Sequence, residues 1–158
     1  MGDSTGMYRL GVSYAEQEVP LGQTCEEDGI MYEYVRFAEN ISATTQTVFI
    51  DAAGEARALA DADVNTLGYA VGWLSGPDGS YAGVSGEYGW AARMGNGITY
   101  YTQSSVVVNA PLYTTTGTGR IDDTGGTSII SGAYAANTEG SSATAALLNA
   151  ACPAFVAP

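Results

Sequence analysis

Histidine and lysine are both missing from this 158-residue sequence, whose only basic side chains are Arg9, Arg36, Arg57, Arg93 and Arg120. Without imidazole the chain has no group that ordinarily titrates near neutral pH, no histidine proton shuttle and no histidine ligand for zinc. Without lysine it has no Schiff-base nitrogen and no phosphate-loop amine. The serine, threonine and cysteine side chains have no histidine to activate them, which excludes the familiar nucleophilic triads. The sequence therefore predicts a binding protein rather than an enzyme, with no catalytic residue and no cofactor.

Positive charge is scarce in number and in clustering. Seventeen acids outweigh the five arginines, for a net charge of −12. The arginines are scattered, so no basic patch exists to release counterions from phosphates, and direct nucleic-acid binding is not expected. Anionic membranes would repel the chain as well. The acidic surplus suits a protein kept soluble at high local concentration, or one complementary to a basic partner. Long apolar runs are also lacking: the longest, around Ala145-Ala146-Leu147-Leu148, falls far short of the roughly 18 residues that span a bilayer. The start, Met1-Gly2-Asp3-Ser4-Thr5-Gly6, is polar and small, without the basic and apolar regions of a signal peptide. A soluble chain is expected.

Two cysteines, Cys25 and Cys152, are too few for a disulfide framework and lack metal-ligand spacing. Buried free thiols are the expected state, and sequence alone cannot establish the geometry of a bridge.

What is abundant is glycine, tyrosine and small residues, arranged as short apolar runs between turn signals. Ile30 to Phe37 is β-rich and follows Asp28-Gly29, a hairpin turn signal. Thr47 to Ile50 and Leu67 to Leu74 are further candidates, the latter stopped by Gly76-Pro77-Asp78-Gly79. Tyr88 to Arg93, Gly97 to Thr102, Val106 to Val108, Leu112 to Thr116, Ile129 to Ala136 and Ala143 to Leu148 complete the set. Strands recurring at about eight to twelve residues predict an all-β fold, a small sandwich or barrel-like domain. Gly54 to Val64 is Ala-rich and is read as a short helix or a turn, and Ala143 to Ala151 as helix or strand.

The first residues differ in character. Tyr8, Leu10, Val12 and Tyr14 alternate with polar or small neighbours in a strand pattern outside any obvious hairpin, and Glu16 to Pro20 sets them apart. The expected organisation is an extended N-terminal arm over 1–21 and a β-rich domain over 22–158. Such an arm pairs within its own sheet or adds a strand to a neighbour. Tyr8, Leu10, Val12 and Tyr14 are accordingly the candidate interface residues.

Other clusters carry less. Asp61-Ala62-Asp63-Val64-Asn65 has the alternating oxygens of a calcium loop, but Thr66 stands where glycine is needed and Gly72 where a bidentate Glu is needed, so no metal is expected. Asp122-Asp123 and Glu26-Glu27-Asp28 read as exposed acidic turns, because a glycosidase needs two carboxyls across a cleft. Gly117 to Arg120 and Gly95-Asn96-Gly97 read as loops. The aromatics Tyr69, Trp73, Tyr81, Tyr88, Trp90, Tyr100 and Tyr101 would suit a sugar-binding face if exposed, though at strand positions core or interface packing is their commoner fate.

From Gln23 onward the order of features is a familiar one. Gly29 to Arg36 leads to Asn40-Ile41-Ser42-Ala43, then Gly68-Tyr69-Ala70-Val71-Gly72 and Tyr88-Gly89-Trp90. Pro111-Leu112-Tyr113-Thr114-Thr115-Thr116 then runs through a glycine turn to Ile121-Asp122-Asp123 and Ile130-Ser131-Gly132. Over most of residues 22–150 this resembles the small head decoration (cement) proteins of tailed bacteriophages. The resemblance implies an all-β protomer that trimerises on the outer surface of the capsid. There it would bind the major capsid protein and reinforce the shell against packaged DNA, after synthesis in the host cytoplasm. It carries over no catalytic residues. Surface ion pairs contribute little, usually under ~1 kcal/mol each, so attachment is expected to rest on apolar contact. The alternative is a carbohydrate-binding or fibre domain of a phage structural protein.

Overall fold

The computed structural model describes residues 9–60, 70–116, 119–124, 128–140 and 145–156, the last five as backbone alone. The described residues are all β, with no helix among them. In chain order the strands are β1 (Thr24–Glu27), β2 (Ile30–Phe37), β3 (Thr47–Ile50), β4 (Glu55–Ala58), β5 (Ala70–Trp73) and β6 (Ser75–Gly76). They continue with β7 (Gly79–Ser80), β8 (Tyr88–Tyr101), β9 (Pro111–Thr114), β10 (Ile121–Asp122), β11 (Ile129–Ala135) and β12 (Ala145–Val156).

Two closed circuits share the long strand β8. The first runs β2–β4–β3–β5–β8 and returns to β2, with β2–β4 the parallel seam that closes a five-stranded barrel. The second half of β8 leaves this barrel and pairs with β12; β12 pairs with β11, β11 with β9, and β9 with β10. A parallel bridge between Thr102 and Ile121 brings β10 back to the end of β8. Closing both circuits removes most of the unpaired strand edge that would otherwise invite aggregation.

Alternation on each strand divides the core in two. On β2, Val35 and Phe37 point into the barrel with Val48, Ile50, Leu74 and Ala91. Tyr32 and Tyr34, on the other face of the same strand, pack with Trp73, Trp90, Tyr100 and the interior of the second circuit. The barrel is narrow enough to demand glycine: a Cβ at Gly89 would lie 2.7 Å from Phe37 Cζ, and one at Gly83 2.9 Å from the same ring.

Several expectations change. Glu55–Ala58 is strand rather than helix, because Ala56 and Ala58 alternate inward against β3 while Arg57 faces out; tertiary pairing overrides the helical preference of alanine. The rest of that stretch, from Asp61 to Val64, and the calcium-like Asp61 to Asn65 lie outside the described residues. Gly95-Asn96-Gly97 is not a loop but the bend inside β8, where positive φ at Gly95 (137°) and Gly97 (76°) turns the strand from one circuit to the other. Val106 to Val108 forms only a bridge and a turn. The hairpin signal at Asp28-Gly29 is met in full: both residues have positive φ, 51° and 76°, as a two-residue type I′ turn requires.

Candidate functional site

Two surfaces stand out, and they share Thr99 and Leu147. The first is the outward face of the second circuit. None of the residues in β9, β11, β12 or the β8 segment 95–101 is charged. On this face Tyr134 of β11 is 46% exposed and Leu147 of β12 is 42% exposed, flanked by Tyr101, Ala145, Pro111 and Tyr113. The pairings Tyr134↔Pro111, Tyr134↔Asn149 and Leu147↔Thr99 place these side chains side by side across four strands. Exposed Val107 and Val108 sit on the loop whose amides at Val108 and Asn109 donate to Thr138 Oγ1 and the Ala135 carbonyl. A chain of net charge −12 thus presents one broad uncharged β face, the kind of patch that marks protein contact.

The second surface is a cleft of about 390 Å³ at the border of that face. One wall is the β1–β2 hairpin, through Glu27, Asp28 and Ile30; the opposite wall is the β6–β7 hairpin, through Gly76, Pro77 and Gly79. The bend of β8 supplies Asn96, Gly97 and Thr99, β12 supplies Leu147, and Tyr32 and Ser75 lie deepest. Local contacts explain the shape. The hairpin turn sits on the β8 bend so closely that a Cβ at Gly95 would lie 2.7 Å from the Gly29 carbonyl oxygen. Ser75 Oγ accepts from the Thr99 amide at 3.1 Å, and Asn149 Oδ1 accepts from the Gly97 amide at 3.1 Å. Burial, then the charge of Glu27, pushes the Tyr32 phenol up to about 12, so it is neutral at physiological pH.

The sequence-derived candidates fall elsewhere. Leu10 is buried in the core at 8% exposure, and Tyr14 is half-buried, bridged to Tyr88 by a reciprocal pair of backbone hydrogen bonds of 2.8 and 2.9 Å. Val12 is half-buried and Tyr8 lies outside the described residues. Val19 is also buried, and the Glu18 amide donates to the Tyr34 hydroxyl at 3.2 Å. Residues 9–21 therefore lie along their own domain and cover the Tyr34–Trp90 side of the barrel. The strand pattern is not met: Leu10 to Val12 form a turn and a bend, with positive φ at Gly11 (81°), and Tyr14 alone makes an isolated bridge, to Tyr88 far along the chain.

Of the acidic clusters, Glu26-Glu27-Asp28 is exposed as expected. Asp122-Asp123 is not a solvated turn: Asp122 is 2% exposed, takes a hydrogen bond from Ser104 Oγ and accepts from the Asp123 amide at 2.7 Å. Asp123 accepts from the Val107 amide at 2.8 Å, so the pair ties down the loop after β8. Trp73 and Trp90 are fully buried and offer no sugar-stacking face. Cys25 is a free, half-buried thiol raised by burial and by Glu27; the Cys152 side chain lies outside the described residues. The cleft was missed because its walls come from four separate stretches, each of which reads alone as an ordinary turn or strand.

No family model matches this chain, and no curated protein matches it either.

Proposed function

We propose that this chain is a non-catalytic structural protein that docks on a protein lattice: a head decoration protein held on the outer surface of a tailed-phage capsid. The observation that carries the reading is the uncharged face of β8, β12, β11 and β9 on a chain of net charge −12. Copies of so acidic a chain repel one another over most of their surfaces, and this face is where they meet at least electrostatic cost. The assembled form is a homotrimer seated around a local three-fold of the shell, where closed symmetry multiplies modest contacts into firm attachment. The major capsid protein is the partner, with no direct contact to nucleic acid or membrane. The order of features from Gln23 to Gly132 supports the same reading. Burial of Trp73 and Trp90 weighs against the carbohydrate-binding alternative.

The test is Tyr134→Asp, which places a charge on an exposed position of the face without touching the core. The variant should keep its melting temperature within about 2 °C, as surface changes do, and lose occupancy on purified particles. Wild-type occupancy by a folded Tyr134→Asp protein would refute the role of this face.

A further inference from the structure

We propose that the cleft between the β1–β2 and β6–β7 hairpins is a receptor for an arginine side chain of the partner protein. The proposal rests on the docking role above and names the chemistry at the edge of that contact, since Leu147 belongs to both the cleft and the uncharged face.

Charge comes first. Among the described residues, the carboxylates lining the cleft are Glu27 and Asp28, no cation lines it, and neither acid has an ion-pair partner. Exposed acids alone would mean little. The deeper observation is Tyr32, which is 2% exposed yet has no hydrogen-bond partner for its hydroxyl among the described residues. That oxygen is not sealed in the core like the orphaned Tyr100 hydroxyl; it reaches open space through the cleft its own residue lines. Open to the cleft and without a partner among the described residues, that hydroxyl is placed to accept from a ligand donor. The phenol oxygen offers lone pairs to a cationic N–H donor.

The remaining walls fit an arginine. Ile30, Pro77 and Leu147 supply apolar surface for its aliphatic stem, and the volume lies at the small end of ligand clefts. A planar guanidinium forms paired hydrogen bonds to a carboxylate and keeps further N–H groups for the phenol oxygen. Lysine would meet the charge but not the plane. The fold makes the site before any partner arrives, because the type I′ turn fixes Asp28 and the Gly95 contact fixes the hairpin against β8.

The experiment is a ¹H–¹⁵N titration of the whole chain with N-acetyl-arginine methylamide, beside its neutral citrulline analogue and methyl glucoside. The arginine probe should give saturable shifts at the Tyr32, Asn96 and Gly97 amides, and the two neutral probes should give none there. The pair Glu27→Gln and Asp28→Asn should weaken binding roughly tenfold, the loss of one charge-assisted contact. Asn tolerates the positive φ at position 28, so the turn is kept. Tyr32→Phe should weaken binding severalfold with the fold intact. Equal binding of the citrulline or glucoside probe at these amides, or no saturable shift with arginine, overturns the proposal. Particle occupancy separates the two claims: a protein that stays on the shell while ignoring the arginine probe loses only this cleft assignment. A protein that binds the probe but is absent from particles keeps the cleft and loses the coat role.

Discussion

Arg93 and Glu33 form an ion pair inside the five-stranded barrel, with the Arg93 Nε also donating to the Val71 carbonyl at 2.8 Å. Alternation brings the pair together: Arg93 lies two residues after Ala91 on β8, and Ala91 is the residue paired with Glu33. Gly72 leaves room for its stem, since a Cβ there would lie 3.2 Å from Arg93 Cδ. Arg93 is only 8% exposed and Glu33 19%, so removing one partner strands a charge in poor solvent. Arg93→Met should cost about 2–3 kcal/mol in urea unfolding, and adding Glu33→Met should recover part of that loss. A neutral single substitution would mean the pair is solvated in solution.

Phe37 packs where two glycines leave space for it. Gly89→Ala would bring a methyl within 3.0 Å of both the ring and the Tyr81 hydroxyl. The expected cost is about 1–3 kcal/mol from overpacking, with partial recovery on combination with Phe37→Leu. Thermal unfolding of the two variants measures it, and an unchanged melting temperature for Gly89→Ala would contradict the close packing.

Burial raises the phenols of Tyr14, Tyr32, Tyr34, Tyr81 and Tyr100 above their usual value, Tyr32 to about 12. A raised folded-state value means the folded chain holds protons that the unfolded chain releases. Stability from these groups is therefore complete below about pH 10 and is lost as pH rises from there toward 12 and beyond. Melting temperature should fall steeply across that window, and phenolate absorbance should lag a denatured control. Full tyrosine titration near pH 10 in the folded protein would contradict the burial.

Leu10 should matter to the fold itself. Leu10→Ala is expected to cost about 2–3 kcal/mol, as for a leucine truncated in a core. Deleting residues 1–18 should destabilise the domain rather than leave it intact, because it removes Leu10 and the Tyr14–Tyr88 bridge. Chemical denaturation of both variants checks this, and wild-type stability for the deletion would restore the free-arm expectation.

Legibility followed locality. The runs Ile30 to Phe37 and Thr47 to Ile50 were visible because β-branched and aromatic residues cluster between turn signals, and Asp28-Gly29 specified its own turn type. The continuity of β8 was hidden by Gly95 and Gly97, which read as a loop but act as a bend within one strand. The place of Tyr14 was hidden because its bridge partner lies more than seventy residues away, at Tyr88, and that of Leu10 because it joins a core built by later strands. The uncharged face could be glimpsed in the absence of charge from Ala143 to Leu148. The cleft could not, because Glu27, Tyr32, Pro77, Asn96 and Leu147 meet only through the double closure of the sheet.

The central claim is docking on the outside of a protein shell, and reconstruction of purified particles at side-chain resolution tests it most directly. The account predicts density for this chain outside the shell, three copies about each occupied three-fold, with the face of Tyr134 and Leu147 covered by protein. Absence from particles, placement inside the shell, or a symmetry other than three-fold with that face open to solvent would contradict it.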